Sequence, residues 1–287
     1  MQIVSDRGMD MAPEQMEGLD IHLVPLTFTL DGKTYRSGVD IQPDEFYQLL
    51  ASTASFPTTS QPSPGDIASV YRQLAATDPD ILSIHISSGL SGAVNSAKSA
   101  AAMTPEANVT IWDTKTLSGA EGWQVEAAAR AAKAGWATDR IIELLERVRA
   151  VTDTLYTLAT LKYLIHGGRI NHITGLLAQV LNIKPLIGVE KEHGTYVQHG
   201  QARSLDKAIL KMADHVAERF APGTAMRFQV LHGHNAEGAA LLRARLEQLF
   251  KCTFLPVGPI APVLGAHTGP GLVGVVYAPM AAFPEMP

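Results

Sequence analysis

The segment Ile81-Leu82-Ser83-Ile84-His85-Ile86-Ser87 constrains the fold more than any other, because it is mostly apolar on both faces and leads into Ser88-Gly89-Leu90-Ser91-Gly92 and then a helical pattern. A strand with no face to turn to water belongs inside a parallel sheet covered on both sides. Ligands of such sheets bind beyond the carboxyl ends of the strands. The chemistry is therefore expected first at Ser87 to Ser91.

The rest of the first half alternates in the same way. Strands are predicted over 3–5, 21–26, 81–88 and 109–112, and helices over 43–51, 64–76, 93–103, 119–133 and 138–151, the pattern of βαβ units. In the last helix Ile141, Ile142, Leu144, Leu145, Val148 and Val151 recur at helical spacing with charged residues between them. The second half reads differently. Strands over 154–160, 182–189, 196–199, 226–231, 253–257 and 272–277 are separated in places by two long helices, 205–220 and 236–250. Strands 183–189 and 195–198 lie close enough for an antiparallel hairpin. The expected fold class is α/β, with an N-terminal parallel-sheet domain over 1–152, a C-terminal α+β domain over 153–287 and the ligand between them, a common place for pockets.

Composition narrows the function. The chain has 287 residues, 46% hydrophobic and 18% charged, enough to bury a core and a pocket. Net charge is -5 and the basic residues are scattered, which argues against a nucleic-acid partner. A single cysteine, Cys252, excludes an internal disulfide and a cysteine-rich zinc site. No stretch reaches the roughly 18 apolar residues of a membrane span. The start of the chain lacks the features of a signal peptide, so a cytoplasmic location is expected.

Two hydroxyl-rich segments stand out. Pro57-Thr58-Thr59-Ser60-Gln61-Pro62-Ser63-Pro64 precedes a helix that Ser63 can cap and Pro64 can open. Thr59 and Ser60 come too early to serve as caps. Ser87 to Gly92 opens a second helix, with glycines that allow close backbone approach to a ligand and with Ser91 as either N-cap or ligand. Two such loops, if they converge, make an anion site from free N–H groups and helix dipoles. There is no Gly-x-x-x-x-Gly-Lys-Ser/Thr or Gly-x-Gly-x-x-Gly motif. Phosphate and carboxylate remain equally open on these grounds. His232-Gly233-His234 is weak evidence for a metal, and no metal or other cofactor is expected. Gly167-Gly168 ends a short helix beside Arg169, which serves an anion or a carbonyl. The run 264–271 reads as a tight glycine and proline turn that presents His267 and Thr268 to a site.

Val4-Ser5-Asp6, Val24-Pro25-Leu26, Thr59-Ser60-Gln61-Pro62-Ser63, Ser88-Gly89-Leu90-Ser91-Gly92, Gly167-Gly168-Arg169-Ile170, Asn182-Ile183-Lys184-Pro185 and His267-Thr268-Gly269-Pro270-Gly271 occur in one order along nearly the whole chain. In this the sequence resembles the DegV family of bacterial fatty-acid-binding proteins, which includes lipid-carrying subunits of fatty acid kinase. The resemblance implies a long-chain fatty acid between two domains, its carboxylate held at Thr59, Ser60, Ser91 and Gly92. It also implies a non-enzymatic carrier that presents the carboxylate to a separate fatty acid kinase, with Arg203, His267 and Thr268 serving phosphotransfer or the partner. Two departures are Ser5-Asp6-Arg7 in place of Thr-Asp-Ser, which puts the charge of Arg7 near the pocket mouth, and Ala93 in place of threonine. Burying about fourteen methylenes at roughly 0.8 kcal/mol each would supply about 11 kcal/mol before association costs, so affinity would reside in the tail and orientation in the head site. The competing class is a stand-alone enzyme, a serine hydrolase or small-molecule kinase relative, using Ser91 and His267.

Overall fold

The computed structural model describes residues 1–170, 173 and 183–287. The expected start of a strand at Asn182 lies outside them. The strand predicted over 81–88 is β6 (Asp80–His85), which ends three residues earlier than expected and is central in a four-stranded parallel sheet with β1 (Gln2–Asp6), β2 (Ile21–Val24) and β7 (Asn108–Asp113), in the order β2-β1-β6-β7. Leu82 and Ile84 belong to the large core that includes Trp123, whereas Ile81 packs with Ile67, Tyr71 and Ala97. Those last residues belong to α3 (Pro64–Ala75) and α4 (Ala93–Ala102), so the sheet is covered on both faces. The polar residues of β6 are satisfied internally. The Tyr71 hydroxyl donates to Ser83 Oγ at 2.7 Å, Ser83 Oγ meets His85 Nε2 at 2.8 Å, and His85 Nδ1 meets Asp6 Oδ2 at 3.0 Å.

The strand expected over 21–26 stops at Val24, where Pro25 cannot donate to a ladder. The chain then builds a second sheet, antiparallel, from β3 (Thr27–Leu30), β4 (Lys33–Arg36) and β5 (Thr58–Ser60) in the order β4-β3-β5. Asp31 and Gly32 join β3 to β4 with φ of 51° and 76°, the left-handed pair that a two-residue hairpin requires. Thr58 to Ser60 is therefore a strand, not only a stiff loop before α3.

The third sheet is mixed, with β10 (Tyr196–Ala202), β9 (Lys184–Val189), β8 (Asp153–Thr157), β14 (Val273–Pro279), β11 (Ala225–His232) and β12 (Lys251–Phe254) in that order, and β13 (Gly258–Pro259) beside β11. The β9–β10 hairpin is antiparallel, as its spacing predicted. Helices α8 (Leu205–Arg219) and α9 (Ala236–Leu249) cover one face. On the other face lies α5 (Ser118–Lys133), followed by α6 (Thr138–Val151), while the short α1 (Pro13–Met16) lies between β1 and β2 in sequence. Thirteen of the sixteen residues of α5 are buried, because it lies between the parallel and mixed sheets and its small residues allow close approach. A Cβ on Gly122 would come within 2.4 Å of the Met9 carbonyl oxygen.

The main departure from expectation is at 264–271. Pro262 takes the first turn of a helix, α10 (Pro262–Thr268), in which all seven residues are buried. Only Gly269-Pro270-Gly271 is the turn, with both glycines at positive φ. The helix packs against α2 (Pro43–Ala51), α7 (Lys162–His166), β3 and β5. Its buried amino end needs acceptors. Asp10 Oδ1 receives the Ala261 N–H at 2.8 Å, and Ser37 Oγ receives the Val263 N–H at 3.2 Å. Among the described residues no helix is long and apolar enough to cross a membrane.

Ser37→Ala should leave the Val263 N–H buried without an acceptor and destabilise the fold by about 1–3 kcal/mol, readable in urea unfolding. An unchanged midpoint would show that the cap contributes nothing.

Candidate ligand-binding site

Strand β5 carries Thr59 to the side of α10, where its Oγ1 lies 2.8 Å from Nε2 of His267. The loop after β6 brings Ser91 to the same place. Thr59, Ser60, Ser91 and His267 line one small cavity, about 40 Å³, with Gln61, Arg169 and Tyr196 among its other polar walls and Leu26, Ile86, Leu90, Val263 and Leu264 as its apolar ones. A second pocket of about 30 Å³, lined by Leu117, Tyr156, Leu231, Ile260 and Leu272, shares Leu264 with the first. The two form a polar end and an apolar end on either side of one leucine. Each has about the space of one water molecule, so a long ligand must displace side chains, and Leu264 lies between the two spaces.

The hydroxyls of the Ser87 to Ser91 loop divide between structure and site. Ser87 Oγ donates to the Gly194 carbonyl at 2.8 Å, and Ser88 Oγ donates to Asp113 Oδ2 at 2.5 Å. Gly92, not Ser91, is the N-cap of α4; among the described residues Ser91 Oγ accepts only a long 3.3 Å bond from the Ala93 N–H, and it lines the cavity. The glycines have a different purpose from the one expected. A Cβ on Gly89 would meet the His193 carbonyl oxygen at 2.5 Å, and one on Gly92 would meet the Gln61 side chain at 2.5 Å. Gly89 thus admits the β9–β10 hairpin, and Gly92 lets Gln61 join the two loops.

Ser63 caps α3, accepting from the Asp66 N–H at 3.1 Å, and also donates to the Asp66 carboxylate, so this end is already satisfied. Gly92 does not line the cavity. Thr268 turns back to the Leu264 carbonyl at 3.1 Å and lines the apolar pocket. Arg203 is exposed between β10 and α8, outside both pockets. Arg169 unites its two readings, donating to the Gly167 carbonyl at 2.7 Å while lining the polar cavity. Arg7 is not at this mouth; it lines a separate cleft. The His234 ring stacks on Tyr47, and His232 accepts the Asn235 N–H. Sequence reasoning missed Tyr196, whose single buried ring on a hairpin strand carries no motif.

The imidazole of His267 is neutral near neutral pH. Burial, and then the charge of Arg169, push its pKa down to about 4. Nδ1 is buried without a partner among the described residues. A proton on Nε2 leaves no buried N–H unpaired, and His267 then donates to Thr59 Oγ1. The Thr59 hydroxyl proton is free to point at a ligand. The hydrogen bond of His267 goes to Thr59 and not to Ser91, the pairing that a serine nucleophile would use.

The family model described as the DegV family matches residues 1–280. The chain belongs to the DegV family. A DegV domain-containing protein of Deinococcus radiodurans is 36% identical over 284 residues, covering 98% of this chain and 99% of the relative. Among solved structures, a DegV family protein from Thermus thermophilus described as binding fatty acid has a TM-score of 0.86 and 32% identity, covering 97% of this chain and 99% of its own. DegV of Bacillus subtilis, described as a fatty acid binding protein, has a TM-score of 0.86 and 27% identity, covering 97% and 98%. The DegV fold thus spans all three sheets described above.

Because the pKa of His267 is depressed in the folded state, the unfolded chain takes up the proton first. Stability should fall as pH drops from 6.5 towards 4, by on the order of 3 kcal/mol from this group. Relative to His267→Gln, the wild type should lose that amount over this window in denaturant titrations; parallel curves would mean that His267 titrates normally.

Proposed function

We propose that this protein binds a long-chain fatty acid, with its carboxylate at Thr59 and Ser91 and its tail running past Leu264 into the apolar pocket. The observation that carries the reading is the pairing of a polar cavity and an apolar pocket across one shared leucine. Fatty acid binding by the Thermus and Bacillus relatives supports it. The Thr59 hydroxyl is free to donate, the Ser91 hydroxyl is nearly free, and Arg169 adds positive charge. A carboxylate that accepts two or three such bonds avoids the several kcal/mol that an unpaired buried charge would lose. The Nε2–H of neutral His267 holds Thr59 in place.

The carboxylate end lies beside Ser60 and Gln61, both exposed, so the head group of a bound acid is close to the surface. This supports the finer part of the proposal, a carrier that offers its carboxylate to a separate fatty acid kinase, with the exposed Arg203 contacting that partner. His267 orients the head group, and the protein performs no chemistry of its own.

Native mass spectrometry of gently purified protein should show a bound fatty acid. Ser91→Ala and Thr59→Val should each weaken binding by about ten- to a hundredfold, whereas Arg203→Ala should retain binding and lose phosphotransfer with an added fatty acid kinase. Protein that stays empty when offered long-chain acids would sink the binding proposal; phosphorylation of the acid without a second protein would sink the carrier proposal.

A further inference from the structure

On the far side of α10 lies a cleft of about 460 Å³, in the size range of small-molecule sites and far larger than either pocket above. Its walls are mainly apolar, with Met9, Met11 and Met16 and prolines such as Pro43 and Pro259 among them. Among the described residues, one cation, Arg7, lines it. The Arg7 side chain lies against Gly38, where a Cβ would come within 3.0 Å of its Nη1, and its Nε is buried with no acceptor among the described residues. Desolvation alone acts on the guanidinium and lowers its pKa.

Of the two carboxyls in the lining, Glu14 is exposed and Asp10 is committed elsewhere. Asp10 accepts from the Ser118 hydroxyl at 2.5 Å and from the Ala261 N–H at 2.8 Å. Asp10 and Ala261 line the cleft, whereas Ser118 and Ile260 line the apolar pocket. This bridge is therefore the wall between the two spaces. A guanidinium held half out of water, with no acceptor for its Nε among the described residues, is suited to a planar carboxylate that can accept two parallel bonds. Methionine sulfur makes favourable contacts with an aromatic ring.

We infer that this cleft is a second ligand site, separate from the fatty-acid pocket, that binds a small aromatic carboxylate through Arg7. The inference does not rest on the fatty-acid reading. The site has a different charge donor, a different lining and a hydrogen-bonded wall between it and the acyl pocket. It also gives a role to the arginine by which this chain departs from the usual sequence at the end of β1.

The probe is 2-naphthoate, titrated into protein already loaded with a long-chain acid and, in parallel, into protein carrying none. Methionine methyl resonances report the position. Saturable binding should shift Met9, Met11 and Met16 in both samples. Arg7→Gln should weaken binding by about tenfold or more while leaving retention of the long-chain acid unchanged. Arg7→Lys, which keeps the charge and loses the fork, should fall between them. Unchanged affinity in Arg7→Gln, loss of naphthoate binding on loading with the acid, or methionine shifts confined to other positions would each overturn the proposal. If no long-chain acid binds but naphthoate still does, the fatty-acid reading fails and this one stands.

Discussion

A seven-residue helix with every residue buried can exist only if it finds partners on all sides, and α10 sets that requirement for the whole molecule. Its flanks pack on α2, α7 and the small antiparallel sheet, and its amino end is capped from a distance by Asp10 and Ser37. Those two residues come from the first forty positions of the chain, and α10 from the last thirty. The cap therefore ties the ends of the sequence together. It also fixes the site, because the same helix presents His267 to Thr59 on one face and closes the Arg7 cleft with Ala261 and Pro262 on another.

The polar end of the site follows from an economy of hydroxyls. Of the three serines in the loop after β6, Ser87 and Ser88 hold the loop against the hairpin and Asp113, leaving Ser91 for the cavity. Of the hydroxyls before α3, Ser63 is consumed by its cap and Thr59 is kept available by a neutral histidine. The same division explains why the apolar pocket can stay small. Hydrophobic gain on filling it scales with buried tail, roughly 0.8 kcal/mol per methylene, and moving a few side chains of the Leu264 kind takes only part of that gain.

Regular elements were legible where a single periodicity ruled. Helices α2 and α6 have the expected bounds, and α3, α4, α5, α8 and α9 differ by a residue at one end. The central strand was legible because an all-apolar face pattern has one comfortable home. What was not legible depended on distant contacts. The turn reading of 264–271 counted glycines and missed that Pro262 starts a helix whose stability comes from burial rather than propensity. The small sheet was announced by Asp31-Gly32, a hairpin signal that a reading of 21–26 as one strand passed over. Gly89 and Gly92 looked like ligand-facing glycines because a sequence does not say which neighbour comes close. Arg7 looked like a charge at the pocket mouth for the same reason: position along β1 says that it leaves the strand end, and only packing says on which side of α10.

The central claim is that Thr59, held by His267 of α10, and Ser91, from the loop after β6, bind a carboxylate while the tail passes Leu264. A crystal structure of the protein with a bound long-chain fatty acid tests it most directly. The account predicts carboxylate oxygens within hydrogen-bond distance of Thr59 Oγ1 and Ser91 Oγ, a rotated Leu264 and the methyl end among Leu117, Leu231 and Leu272. An acid lying in the Arg7 cleft, or one inserted with its methyl end at Thr59, would contradict it.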